Sequence, residues 1–252
     1  MTELLIVLIV GAALVVAWIY FSGQQASRRQ QELEDAKAEA RRWMERLGGQ
    51  VLSLTGTDVA SQQAISDAAE RYTAAGSQLE QARTVRQARL VTDTAMEGLY
   101  YVRAARKAMG MDPGPALPDE AERARAGAVT EHRDVTVSGH RYQASPEPGA
   151  ETPHYYPGGR VAGRPVPEGW YSEPWWRPAL VAGAWGMGSV LLFSTMFSGM
   201  AGVPSAQAWE SGYDAGQEDA LESGEAGDMG GDLGGDDAGL GGGDMGLGDM
   251  GF

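Results

Sequence analysis

Three histidines, His132, His140 and His154, fall within one short region of the 252-residue chain and are its candidates for metal ligation or general-base work. Their spacing suits neither role. No two of them stand three or four residues apart, as a helical zinc pair requires, and the nearby Glu131, Asp134 and Glu151 complete no recognised ligand pattern. The absence of cysteine excludes disulfides, thiolate metal sites and cysteine nucleophiles. The glycines between Gly158 and Gly163 lack the Gly-Lys-Ser or Gly-Lys-Thr ending of a phosphate loop. No nucleophile elbow, zincin helix or kinase signature occurs. No catalytic, cofactor-binding or metal residue is assigned, no cofactor is expected, and the expected function is non-enzymatic.

The elements that would carry any other function begin with two apolar runs. Leu4–Phe21 is uninterrupted by charge, and as a helix it covers about 27 Å, enough to span a bilayer. The start Met1-Thr2-Glu3 lacks a basic n-region, so this run reads as an uncleaved anchor over residues 1–23. A second run, 179–203, follows Arg177 and stays uncharged until Glu210. Gly186 and Gly202 belong to small-residue series at four-residue spacing, a pattern that lets another helix approach closely. All 20 Lys and Arg lie between Arg28 and Arg177. By the positive-inside rule the middle is then cytoplasmic, with both termini outside a plasma membrane crossed twice. Trp18 and Tyr20 on one run, and Trp170, Tyr171, Trp175 and Trp176 before the other, would form an inner interfacial belt, with Trp209 at the outer one.

Between the runs, residues 24–110 read as a helical cytoplasmic domain. Leu33, Ala36, Ala40, Trp43 and Leu47 recur at spacings of three and four, a coiled-coil-like seam that Gly48 and Gly49 would end. A second helix is predicted from Thr57 or Asp58 to Ala75, stopped by Gly76, and a third from Ser77 or Gln78 to Met109. The seam is either an interaction surface or a stripe buried inside the domain. Arg83, Arg86, Arg89, Arg103, Arg106 and Lys107 make the third helix basic, either a solvated face or a site for anionic lipid.

Residues 111–178 are rich in proline and aromatics. Val135–Val137, the Ser138-Gly139 pair and His140–Tyr142 read as a hairpin, and Pro157-Gly158-Gly159 as a second turn. Residues 204–252 form an acidic, Gly-rich tail expected to be disordered, because it has too little apolar surface to offset its ordering entropy. Twelve acidic and no basic residues follow Val203, so most of the net charge of -14 belongs to this tail. The nearly neutral middle lacks a nucleic-acid-binding motif, and no nucleic-acid partner is expected.

The stretches Leu99–Arg106 and Met109–Pro115, together with Pro157–Ser172 and the Gly/Asp-rich end, resemble a group of uncharacterised actinobacterial two-span membrane proteins. That resemblance covers most of the chain and implies no activity or site. The expected fold is mainly α, with two transmembrane helices flanking a cytoplasmic helical hairpin or coiled-coil-like domain, a small Pro-rich β element and the tail. The expected function is a membrane scaffold or accessory subunit of an envelope complex, working through protein partners or self-association. The alternative is a lipid-interface or transport-associated component.

Overall fold

The computed structural model describes residues 2–211, with side chains from Ser27 onward. Three helices form the first layer: α1 (Thr2–Ser53), α2 (Val59–Gln81) and α3 (Val85–Ala108). Asp58 caps α2, its carboxylate accepting from the Ser61 N–H at 2.9 Å while the Asp58 N–H donates back to Ser61 Oγ at 3.1 Å. Thr84 and Gln87 repeat this reciprocal cap on α3. The junction between the second and third helices is therefore at Ala82–Thr84 rather than at Gly76.

Neither Gly48-Gly49 nor Gly76 ends a helix, because packing outweighs the roughly 1 kcal/mol by which a glycine weakens a helix interior. Gly48 lets α1 close on α2, since a Cβ there would stand 2.7 Å from the Tyr72 ring. Buried Ala40, Ala64, Ala68, Ala75 and Ala95 keep the helices close. Gly98 completes the fit: a Cβ on it would meet the fully buried Leu47 at 2.4 Å. Gly98→Val is expected to cost about 2–3 kcal/mol by overpacking. A change below 0.5 kcal/mol in urea denaturation would contradict this packing.

A four-stranded antiparallel sheet forms the second layer: β1 (Arg133–Val137), β2 (His140–Ser145), β3 (His154–Val161) and β4 (Arg164–Tyr171), ordered β1-β2-β4-β3. The Ser138-Gly139 turn stands where the sequence places it. The second turn is Ala162-Gly163, while Pro157-Gly158-Gly159 lies inside β3. Both turns hold their two central residues at positive φ, which matches the twist of a two-residue hairpin. Between α3 and the sheet lie the short α4 (Glu120–Arg123) and one 3-10 turn (Ala124–Ala126). Residues 127–129 run beside β4, the Val129 N–H donating to the Glu168 carbonyl at 2.7 Å and the Glu168 N–H to that of Gly127 at 2.9 Å.

Tyr155 and Trp170, paired across β3 and β4, face the helices and join their core. Tyr156 and Tyr171 face the other way, onto a third layer of α5 (Arg177–Ala182) and α6 (Ser189–Phe197). This layer overturns the second span. Gly183 ends α5 at φ 68°, residues 183–188 form a loop, and α6 is only nine residues, about 14 Å, long. Its Leu192, Phe193, Met196 and Phe197 are buried against protein.

Among the described residues no helix is long and apolar enough to cross a membrane. The two-span fold, the plasma-membrane placement and the coiled-coil description therefore do not hold, and the chain is a layered helix-and-sheet fold. The first apolar run, with Trp18 and Tyr20, lies in a part of α1 whose side chains are outside the described residues, as does the tail beyond Ser211.

Candidate cleft at the sheet and helical loop

The third layer leaves an open cleft of about 810 Å³ between the tip of the β1–β2 hairpin, the segment 173–179 and the loop joining α5 to α6. Tyr142, Trp175 and Trp185 give it aromatic walls. Trp175 rests 5.5 Å from Trp185, with Phe193 and Phe197 behind it at 6.4 and 6.0 Å. The Trp185 indole donates to the Val161 carbonyl at 2.8 Å, which ties the loop to the end of β3. Trp209 closes the back, stacked on Phe193 at 4.6 Å and standing 5.0 Å from Trp185. Val181 and Met187 line the cleft yet are 85% and 107% exposed. They give it an apolar rim in open solvent.

The charges at the cleft are engaged by neighbours. Glu173 Oε1 lies 2.7 Å from His140 Nε2. Arg177 donates to Asp67 Oδ1 at 3.3 Å and to Glu70 Oε2 at 3.1 Å, linking α5 to the helical layer. Burial dominates at Asp67 and pushes its pKa up to about 6, against the opposing effects of Gln63, Arg177 and Arg71, while Glu70 adds to the rise. A carboxyl raised in the folded state binds more protons than in the unfolded chain. Its contribution is therefore fully present below its unfolded value near 4 and is lost as pH rises through about 6. Asp67→Asn is expected to flatten the pH dependence of stability between 4 and 7 and to raise stability at pH 8 by on the order of 2 kcal/mol. An unchanged slope in denaturation at several pH values would refute this.

A second, polar cleft of about 470 Å³ lies where α3 meets α4 and β3. There Asp119 accepts from Tyr100 Oη at 2.9 Å and from Arg123 Nε at 2.6 Å, and Arg123 also donates to the Gly158 carbonyl at 3.2 Å. Burial raises the pKa of Asp93 in its wall, helped by Asp119. These interlocking charges join helix to sheet.

The sequence-derived candidates are redistributed. Ala40 and Leu47 are fully buried in the helical core, Trp43 packs against it, and Leu33 and Ala36 are half-buried on α1, so most of the seam faces inward. Gly186 lies in the cleft loop and Gly202 beyond α6, off any helix, and a Cβ on Gly127 would strike the Gly202 carbonyl at 2.4 Å. Trp170, Tyr171 and Trp176 are core residues rather than an interfacial belt, and of that set only Trp175 lines the cleft.

Of the basic residues assigned to the third helix, Arg103 on α3 pairs with Glu120 at 3.2 Å, and Arg83 lies in the junction before α3, where it donates to the Glu80 and Ala82 carbonyls. His140 and His154 are kept apart in the sheet. His154 pairs with Tyr171 in register, and His140 stands four residues along β2 from Ala144, the other partner of Tyr171, an offset of about 13 Å. Burial, then Arg177, lowers the pKa of His154. Among the described residues no group of three or more metal-capable side chains is gathered. Tyr142, Trp185, Val181 and Met187 were missed as site residues. For Trp185 and Met187 the one sequence signal is the run Gly183–Gly188, which surrounds an aromatic with helix breakers.

No family model, no curated protein and no solved structure matches the chain. Leu99–Ala105 is largely buried on α3, and Pro157–Tyr171 spans most of β3 and β4.

Proposed function

We propose that this chain is a non-enzymatic interaction module, an accessory or scaffold component that seats an apolar segment of a partner protein in the cleft between the β1–β2 hairpin and the α5–α6 loop. The observation that carries this reading is an aromatic cleft with exposed Val181 and Met187 on its rim. Contiguous exposed apolar surface and aromatic walls are features of recognition sites. The cleft sits on a sheet backed by the helical layer, so its walls are preorganised and little ordering cost accompanies binding. The seam on α1 is a weaker candidate, since Ala40 and Leu47 are spent on the internal core.

A photo-crosslinking residue at Met187, introduced in the source cells, tests the proposal. One protein partner should be trapped by the Met187 probe and lost when Val181→Asp is added, with the far-UV circular dichroism unchanged. No protein adduct, or an adduct indifferent to Val181→Asp, would refute the reading.

A further inference from the structure

We propose that a small cavity between α1, α3 and the loop after α3 binds a phosphate group, at a site separate from the cleft of the third layer. The cavity measures about 90 Å³. Arg46 and Gln50 line it from α1, Arg103 and Arg106 from α3, and Pro113 and Pro115 from the loop. A single water needs about 10–15 Å³ of such space, so the cavity has room for a small tetrahedral oxyanion in place of several waters. None of the residues that line the cleft lines this cavity, and the two proposals stand or fall independently.

Three guanidiniums line the cavity, and no acidic side chain does. The chain has 34 acidic residues against 20 Lys and Arg, so carboxylates to pair with are not scarce. Arg103 has one, Glu120 at 3.2 Å. Arg46 lies over the Trp43 ring at 5.4 Å, and among the described residues the Arg106 guanidinium makes no hydrogen bond or ion pair. Arg106 Nε is buried as well, and a buried donor left without an acceptor is costly. The one carboxylate in the adjoining loop, Asp112, accepts from the Gly114 N–H at 2.8 Å and so serves the loop's own backbone. Gly114 makes that turn at φ 85°, and a Cβ on it would stand 3.4 Å from Arg106 Nη1, so glycine leaves the guanidinium its space. With Arg103 met by Glu120, about two positive charges remain, and a phosphate group carries about −1.5 to −2 at neutral pH. A carboxylate would neutralise only half of that charge. Arginine forks also match phosphate oxygens in pairs, so a tetrahedral dianion replaces repulsion between the arginines with charge-assisted hydrogen bonds and ties α1 to α3.

Isothermal titration calorimetry of the full-length protein with inorganic phosphate, glycerol phosphate and formate, all at one ionic strength, tests the site. Phosphate should bind saturably and about tenfold or more tightly than formate. Arg106→Gln and, separately, Arg46→Gln should each weaken phosphate binding by about tenfold. Arg46 is exposed, so its variant serves even where Arg106→Gln disturbs the fold. Arg89→Gln removes the same charge from an exposed position elsewhere on α3 and should change binding less than about twofold. Phosphate no tighter than formate would overturn the inference. So would an equal loss in all three variants, because a diffuse positive field would then account for binding. Phosphate should also raise the melting temperature of the parent and leave that of Arg106→Gln unchanged, and a parent indifferent to phosphate would remove the site. Tighter binding of glycerol phosphate than of phosphate assigns the site to phosphate esters; the reverse order assigns it to the free ion, and either order supports the site.

Discussion

Trp170→Ala is expected to lower the unfolding free energy by about 3–5 kcal/mol, enough to threaten a domain whose whole stability is of the order of 5–15 kcal/mol. Trp170 is 1% exposed and belongs to the core that the sheet shares with the helices. It lies opposite Tyr155 in the β3–β4 register, with ring centroids 5.0 Å apart, and Tyr155 in turn meets Tyr101 of α3 edge-on at 6.3 Å. Truncation would empty the space between two rigid layers that cannot collapse onto it. The Tyr155 hydroxyl, which donates to Glu168 at 2.8 Å, would lose its packed support. Urea denaturation followed by circular dichroism measures the loss. Hydrogen exchange should show faster opening in the sheet than in α2 and α3. A loss below 1 kcal/mol would mean that the sheet and helices are not coupled through this residue.

Trp209→Ala should cost a similar 3–5 kcal/mol, with its effect concentrated in the third layer. The residue has no exposed surface, although it sits only two residues before the end of the described chain. Its ring stacks on Phe193 at an interplanar angle of 15°, Arg164 lies over it at 4.4 Å, and its indole donates to the Pro165 carbonyl at 2.6 Å. Trp209→Phe keeps most of the apolar area and drops the hydrogen bond, so its cost should be nearer 1–2 kcal/mol. In both variants hydrogen exchange should accelerate in residues 177–200 before the helical layer responds. A Trp209→Ala protein as stable as the parent would show that α6 docks without it, and the cleft would lose its back wall as a structural feature.

Several elements were legible because their signals are local. Asp58 is one of the two expected caps of α2, and the Ser138-Gly139 hairpin is present because a short polar, Gly-containing pair between two strand-forming runs encodes its own turn. The inward stripe of α3, including Val102 and Leu99, was legible from helical periodicity. Glycine misled where its partner is distant. Gly48 serves Tyr72 rather than a helix stop, and Gly158 and Gly159 lie within a strand whose hairpin turn is Ala162-Gly163. The cleft was not legible, since Val137, Trp175 and Met187 come from three separate segments.

The sequence by itself determined the helix-forming periodicity, the hairpin turn, the lack of any recognised catalytic motif and the concentration of acid after Val203. Only the tertiary structure decided what the apolar residues between Ala179 and Val203 are for. Hydropathy records that such side chains leave water, not what replaces the water, and Leu192, Phe193 and Met196 meet that demand equally in lipid or against a sheet. The choice lies in the breaks at Gly183 and Gly188, which shorten the helices, and in Tyr156, Tyr171 and Trp176, which supply the opposing face. The same layer places Trp185 beside Trp175 and leaves Val181 and Met187 facing solvent, so the candidate site exists only once distant segments have packed.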